Sequence, residues 1–370
     1  MTPLPLHEFH HSLNAEFGEL NGGEIVANYG DVLAEHAALR ESAGVLDLSF
    51  RSRICLTGSD RARFLHGQVT NDINRLRAGD GCYAAITTAK GKMESDANVY
   101  ALQDELLLDF EPGLTQKISQ RLEKFIVSDD VQIVDVARLY GLLSLQGPKA
   151  ADVLKALGIF SELPAKEFQS VKISDATLGE IYVMNQSRAE LGTAGVPPAR
   201  FDLFVPTGSL GAVADKLIAA AKSVGGRACG WQALEIARIE AGIPRFGADM
   251  NEGNIPIECG IESRAVSYKK GCYIGQEVIN RIHTIGHVNK ELRGLRLADD
   301  LKNLPENGDK LFHDGKEVGY VTGAVKSPTL NANIALGYVR REVNASGTEL
   351  VLRNETGDTK ASVAELPFIK

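Results

Sequence analysis

The chain has 370 residues, 44% hydrophobic and 24% charged, and carries a formal net charge of −8. That length holds two or three domains with a sizeable core, and the composition excludes collagen, coiled coil and a disordered chain. The acidic balance, with no basic run longer than a pair such as Lys269-Lys270, argues against direct nucleic-acid binding.

The N-terminus from Met1 to Leu13 lacks a basic stretch followed by an apolar one, and no window of about 18 apolar residues occurs. The expectation is a cytoplasmic protein with no signal peptide and no contact with membrane. Asp31 to Ala43 reads as a helix capped by Asp31 and stopped at Gly44. Strands follow over Val45–Ser49 and Arg53–Thr57, and Ser59 is placed to cap a short helix carrying Phe64 and Leu65 inward. Cys82–Thr88 and Met93–Ala101 read as a hairpin around Ala89-Lys90-Gly91-Lys92. Period two puts Met93, Ser95, Ala97, Val99 and Ala101 on one face and Glu94, Asp96, Asn98 and Tyr100 on the other. With a two- or four-residue loop, Tyr83 falls opposite Asn98 and diagonal to Asp96, at roughly 7–8 Å. A three-residue loop breaks this parity.

Leu114 to Phe125 reads as a helix with Leu114, Ile118, Leu122 and Phe125 on one stripe. Val131–Val136 and Leu142–Leu145 are apolar strands, and Gly147-Pro148 opens a helix with Pro148 at its first position. A polar loop from Ser187 to Arg200 leads to the strand Phe201–Val205. Gly230–Ala241 is a helix stopped by Gly242 and Pro244, and another runs from Gly275 or Gln276 to Thr284. Beyond Lys290, short alternating runs broken by Asp314-Gly315 and further glycines read as a small antiparallel barrel or sandwich. The domain boundary falls near Val288 to Glu291.

Three constellations carry chemistry. The polar hairpin face of Tyr83, Glu94, Asp96 and Asn98 is either a solvated face or the lining of a pocket whose aspartate orients an amine-bearing ligand. Arg238 either forms a helical ion pair with Glu235 or aims its fork at a ligand carboxylate. In Lys269-Lys270-Gly271-Cys272-Tyr273-Ile274-Gly275-Gln276-Glu277, Cys272 precedes a helix and follows two lysines, features that favour a reactive thiol over a buried one. The five cysteines, Cys55, Cys82, Cys229, Cys259 and Cys272, form no CxxC, so neither a disulfide scaffold nor a zinc site of the usual spacing is expected. One cysteine does not hold an iron–sulfur cluster, and no stably bound metal is expected even if Cys259 approaches Cys272. His283 and His287 read as a loop pair without metal-ligand geometry.

These segments in this order resemble the glycine-cleavage T-protein (aminomethyltransferase) superfamily along nearly the whole chain. The resemblance rests on Tyr29-Gly30-Asp31, Gly44-Val45-Leu46-Asp47-Leu48-Ser49, Gln68-Val69-Thr70-Asn71-Asp72-Ile73, Leu145-Gln146-Gly147-Pro148-Lys149-Ala150 and Arg238-Ile239-Glu240-Ala241-Gly242. Lys270-Gly271-Cys272-Tyr273-Ile274-Gly275-Gln276-Glu277 is similar to the YgfZ branch, folate-binding factors of iron–sulfur cluster assembly and repair, linked in bacteria to tRNA-modifying cluster enzymes.

The resemblance implies an α+β fold: a bilobal folate-binding module over residues 1–288, built of two interlocked lobes, and an antiparallel β-barrel over 289–370. It implies tetrahydrofolate, or a folate derivative, as ligand, and iron–sulfur enzymes or assembly factors as transient partners. It implies roles for Asp96 near the reacting folate nitrogens, for Tyr83 beside the ligand, for Asp202 as pterin anchor and for Arg238 at the anionic tail, and Asn98, on the same hairpin face as Asp96, is counted with the ligand-binding residues. Cys272 and Asp96 are then the candidate catalytic groups. The departures are Phe50-Arg51-Ser52 where T-proteins carry His-Met-Gly, the shorter Asp202 in place of a glutamate, and the absence of an acidic Gly-Glu-Asp-Gly pattern from the Ser187–Arg200 loop. The leading expectation is an accessory protein that binds tetrahydrofolate and uses Cys272 in cluster assembly or repair. The alternatives are a tetrahydrofolate-dependent aminomethyltransferase or demethylase that uses Asp96, and a scaffold with a degenerate pocket.

Overall fold

The computed structural model describes residues 1–160, 162–189, 200–355 and 357–369. Among these residues a two-stranded hairpin of Glu16–Leu20 and Gly23–Asn28 precedes two larger sheets that pack face to face with helices outside, and the C-terminal strands close a barrel. The first sheet has the order Gly81–Thr87, Met93–Ala101, Leu106–Phe110, Ser52–Thr57, Gln132–Asp135. The second runs Ser170–Asp175, Gly179–Asn185, Phe201–Pro206, Tyr140–Gln146, Gly44–Asp47, Arg227–Ala228, the last pair parallel.

Alternation along the strands explains this layering. Ile54, Leu56, Ala97, Val99, Leu108 and Phe110 point outward onto Phe64, Leu65, Ile118 and Leu122 of two helices. Cys55, Tyr100 and Leu107 point inward and meet Leu46, Leu142 and Phe204 of the second sheet. The outer face of that sheet, with Leu145, Val183, Leu203 and Val205, packs on the helix Leu210–Ser223. That helix buries Leu210, Val213, Ala214, Leu217, Ile218 and Ala221, an i, i+3, i+4 stripe. Each of its large aliphatic residues contributes about 1.5–3 kcal/mol by burial.

The hairpin carrying Tyr83 and Asp96 reaches the expected register by an unexpected route. Tyr83 pairs with Asn98 and Ala85 with Asp96, but the strands are joined by residues 88–92 and the register shifts between Ile86 and Thr87. Five loop residues alone would place Ala97 opposite Tyr83. The bulge adds one residue on the second strand and restores the parity that keeps Asp96 and Asn98 on the inner face.

The barrel has the closed order Lys290–Leu297, Ala332–Arg340, Lys316–Ser327, Lys310–His313, Glu349–Asn354, Gly357–Ala364. Asp314-Gly315, with φ of 49° and 76°, makes the two-residue turn between its second and third strands in the chain. The barrel docks on the helix Trp231–Glu240: Ile239 packs with Ile334, Leu336 and Tyr338, and Ser327 Oγ donates to Glu240 at 2.5 Å.

Local expectations needed correction in three places. Asp60, not Ser59, precedes the helix Arg61–Gln68, and the Ser59 hydroxyl donates to Asp130 at 2.8 Å. Phe125 lies beyond the end of the helix Thr115–Glu123 and is 45% exposed, held by a cation–π contact with Arg121 rather than by the core. Pro148 precedes the cap residue Lys149, and the helix begins at Ala150, because Gly147 at φ 120° still turns the chain. Asp31 caps Val32–Glu41 as expected, accepting from the Ala34 N–H at 3.0 Å. Among the described residues no helix is long and apolar enough to cross a membrane.

Candidate functional site

A cleft opens where the inner face of the hairpin meets the second sheet and the helix Trp231–Glu240. Its empty volume is about 750 Å³, open solvent at the mouth included. Tyr83, Asp96, Asn98 and Arg238 all line it, together with Leu48, Arg51, Asp109, Glu111, Gln186, Arg188, Trp231, Arg245, Ile261 and Arg264. Asp202 and Cys272 do not line it. Glu94 leaves the cleft for Arg121 at 2.9 Å, which fits its place beside the bulge.

Asp96 is one of three carboxylates lining this cleft, with Asp109 and Glu111. The Tyr83 hydroxyl donates to its Oδ2 at 2.7 Å, and the Arg264 guanidinium covers the Tyr83 ring at 5.4 Å. Burial, assisted by the neighbouring Glu111 charge, pushes the Asp96 carboxyl up to about 6, against the Tyr83 hydrogen bond and Arg51. Asp96 therefore changes charge close to neutrality and keeps acceptor capacity for a ligand N–H.

Around it lies a network of carboxylates and guanidiniums. Asp109, fully buried, receives Arg51 Nε at 2.8 Å, Arg188 Nη2 at 2.7 Å and Asn98 Nδ2 at 3.0 Å. Burial works against its charge, but Arg51 and Arg188 overcome it and hold the carboxyl well below the usual carboxylate range. Arg51 also reaches Glu111 at 2.6 Å, and Arg245 reaches Glu111 at 2.9 Å. The Phe50-Arg51-Ser52 departure thus falls in the cleft wall, with Phe50 edge-on to Trp231 at 5.5 Å.

Two site assignments change, one of a guanidinium and one of a carboxylate. The Arg238 fork is closed on Glu235, with both bonds at 2.7 Å, and on Asp249 at 2.7 Å and the Ile243 carbonyl at 3.0 Å. Asp249 is in turn fixed by the barrel residue Thr322 at 2.6 Å, so Arg238 ties barrel to cleft rather than facing a ligand carboxylate. Asp202 sits behind Arg188, which grips it at 2.9 Å through Nε and 2.5 Å through Nη2, while Ser144 donates at 2.6 Å. Burial opposes the Arg188 charge, and Asp202 and Asp109 outweigh it, so the guanidinium stays protonated. Most of the Ser187–Arg200 loop, where the acidic pattern is missing, lies outside the described residues.

The KGCYIGQE stretch is mainly an anchor. Lys270 turns inward and donates to the carbonyls of His66, Val69 and Asn71 at 2.5, 2.6 and 2.9 Å, and burial pushes its ammonium down to about 8. It therefore satisfies carbonyls at the end of a helix instead of sitting beside Cys272. Gly275, at φ 91°, lets the loop touch the hairpin turn: an added Cβ would lie 2.6 Å from the Thr88 carbonyl oxygen and 2.7 Å from Thr87 Oγ1. Gly275→Ala is expected to cost about 2 kcal/mol or more, read as a lowered urea midpoint, from strain and contact together. A change under about 0.5 kcal/mol would contradict the anchoring role.

Cys272 is exposed, with Gln276, the first residue of the next helix, four positions on, whereas Cys55, Cys229 and Cys259 are buried. Burial pushes the Cys82 and Cys259 thiols up to about 12. Cys259 faces Met93 and Tyr338 in the core. His283 belongs to the helix Gln276–Ile285, where it pairs with Glu262 at 2.6 Å and stacks on Tyr268, so it is a helical residue and not half of a loop pair. No cluster of metal-ligating side chains occurs among the described residues.

Sequence reasoning missed Arg51, Asp109, Arg188, Arg245 and Arg264. Asp109 alone carried a signal: a single carboxylate in the otherwise apolar strand Leu106–Phe110 requires a buried partner.

Two inward-facing sheets, a polar cleft between them and a barrel docked on the helix at the cleft wall define a bilobal α/β protein with a C-terminal barrel. The chain belongs to the glycine-cleavage T-protein family: the GCVT N-terminal domain matches residues 6–270 and the glycine cleavage T-protein C-terminal barrel domain matches residues 290–370. The aminomethyltransferase of Symbiobacterium thermophilum is 30% identical over 372 residues, 99% of this chain and 96% of that protein. The aminomethyltransferase of Shouchella clausii is 28% identical over 367 residues, 99% of this chain and 97% of that protein. The crystal structure of glycine cleavage system aminomethyltransferase T from Bartonella henselae has a TM-score of 0.88 at 25% identity, covering 100% of this chain and 98% of that one.

Proposed function

We propose that this protein binds tetrahydrofolate in the cleft and serves T-protein-type one-carbon (aminomethyl) transfer, with Asp96 as the catalytic carboxylate. The observation that carries this is Asp96: a carboxyl moved to about 6, held by Tyr83 and open to the cleft. The family and the aminomethyltransferase name of its relatives support the same chemistry. The cleft suits the ligand. Leu48, Trp231 and Ile261 offer faces to a flat ring, and Asp96 accepts from a ring N–H. The reduced pterin supplies nitrogens that accept a one-carbon unit. Asp96 orients the amine and takes or returns its proton, Tyr83 fixes the carboxylate, and the buried network around Asp109 keeps the cleft polar and rigid.

Asn98 belongs to this site as a brace on Asp109, Asp202 as the partner of Arg188, and Arg238 as the link to the barrel. We place the division between the folate-binding module and the barrel at residues 288 and 289, and the protein in the cytoplasm, with no stably bound metal.

The accessory reading, iron–sulfur assembly or repair in the YgfZ branch, keeps a specific observation in its favour: Cys272 is the exposed thiol of a loop otherwise anchored to the hairpin. Calorimetry with tetrahydrofolate tests the shared premise; ligand at a hundred times its dissociation constant stabilises by about 2.7 kcal/mol. Loss of one-carbon turnover in Asp96→Asn with Cys272→Ala intact supports transfer. If Cys272→Ala alone loses the activity of four-iron enzymes in deletion cells while Asp96→Asn complements, the accessory reading replaces it.

A further inference from the structure

A second cavity lies where the strand Ser52–Thr57 and the helix Thr115–Glu123 begin, against the N-terminal turn at Asn21-Gly22. Its empty volume is about 870 Å³, open solvent included. Arg51 lines both this cavity and the cleft, whereas Ser52, Thr115 and Arg138 line this one alone. The charge of the lining runs against that of the molecule. The chain carries a net charge of −8, yet the described residues around this cavity include Arg51 and Arg138 and no carboxylate. Arg51 is neutralised by Asp109 and Glu111. Arg138 is exposed and has no ion pair among the described residues.

The helix Thr115–Glu123 starts here without a cap. Leu114 stands at its N-cap and offers no side-chain acceptor, so the N–H groups of the first turn lack a capping partner, and the dipole adds partial positive charge at this end. An independent observation points to the same place. Ser52 is only 4% exposed, and its hydroxyl makes no hydrogen bond among the described residues. Buried hydroxyls are normally paired, so one that borders a cavity marks a missing acceptor. Strand alternation put it there. Arg53 turns inward to the carbonyls of Ser49, Ala137 and Tyr140, while Ser52 shares the outer face with Ile54, which packs in one cluster with Ile118 of that helix. Pro3, Pro5 and Phe50 supply an apolar wall.

We propose that this cavity binds the phosphate group of a small organic phosphate, held by the start of the helix Thr115–Glu123, the Ser52 hydroxyl and Arg138, with the ester body along Pro3, Pro5 and Phe50. A phosphate has three terminal acceptor oxygens, enough for backbone N–H, hydroxyl and guanidinium donors at once, where a lone carboxylate has two. The proposal does not depend on the folate reading, because Ser52 and Arg138 lie outside the cleft lining.

Calorimetry on the full chain with phenyl phosphate, inorganic phosphate and phenol tests this. Phenyl phosphate should bind the wild type, inorganic phosphate on the order of tenfold more weakly, and phenol should give no heat. Arg138→Gln should weaken phenyl phosphate about tenfold and Ser52→Ala about fivefold, and high salt should weaken it in the wild type. Absence of heat with phenyl phosphate overturns the proposal. So does unchanged affinity in Arg138→Gln, which would put the anion elsewhere on the protein. Inorganic phosphate binding as tightly as phenyl phosphate overturns the organic ester. Arg138 is exposed, so Arg138→Gln decides even should Ser52→Ala fail to fold.

Discussion

Asp96→Asn is expected to lower one-carbon turnover by at least about a hundredfold and, at the same time, to stabilise the protein at pH 8. The second effect follows from the position of this carboxyl. Its value in the folded protein, about 6, lies above the ordinary 3.8, so burial favours the neutral form. Relative to the unfolded chain, stability is full below about pH 4, falls as pH rises toward 6, and stays reduced above it. Asparagine carries no charge to desolvate and still accepts from the Tyr83 hydroxyl. The variant should therefore gain on the order of 2 kcal/mol at pH 8, a few degrees in thermal midpoint, and nothing at pH 4. Turnover of the wild type should fall at acid pH with an apparent value near 6. A variant no more stable than wild type at pH 8, or a turnover profile flat between pH 5 and 7, would remove Asp96 from the role given to it.

The opposite sign is expected at Asp109. Asp109→Ala should cost about 3–5 kcal/mol, because Arg51 and Arg188 would remain buried with one carboxylate fewer and Asn98 would lose its acceptor. Here the folded value is held below 3.8, so the stabilisation is present above the ordinary carboxylate range and is lost as pH falls below it. Acid unfolding should begin at higher pH in Asp109→Ala than in wild type. Asp358→Ala serves as the control. It breaks the Arg353–Asp358 pair at 2.7 Å, but that pair is half exposed, and no measurable change in denaturant midpoint is expected. Equal costs at the two positions would contradict the distinction between buried and exposed pairs on which the site description rests.

The family-level reading needed no coordinates. The order of motifs from Tyr29 to Gly242 and the glycine-punctuated alternation after Lys290 pointed to the bilobal module and the barrel, and the matched domains agree. Local periodicity also placed Asp96 and Asn98 on one face, since alternation on a strand depends only on neighbours in the chain, whereas Tyr83 joined them through the register that the bulge set. The family comparisons support the aminomethyltransferase alternative more than the iron–sulfur branch that KGCYIGQE suggested.

What the tertiary structure decided was the partner of each charge. The sequence offers Arg238 beside Glu235 but not Asp249, which reaches it from eleven residues on and is fixed by Thr322 of the barrel. It offers Asp202 as a free carboxylate, yet Arg188 closes on it, and it offers Lys270 as a neighbour of Cys272, yet the ammonium turns to three carbonyls. Asp109 carried a local signal, but its partner Arg51 comes from the start of the neighbouring strand and Arg264 from the helix Glu262–Ala265, so only the fold brought them to the site. Faces and periods follow from the local chain. The ionisation of Asp96 and the engagement of each guanidinium depend on burial and on charges far apart in sequence, which only packing brings within a few ångströms.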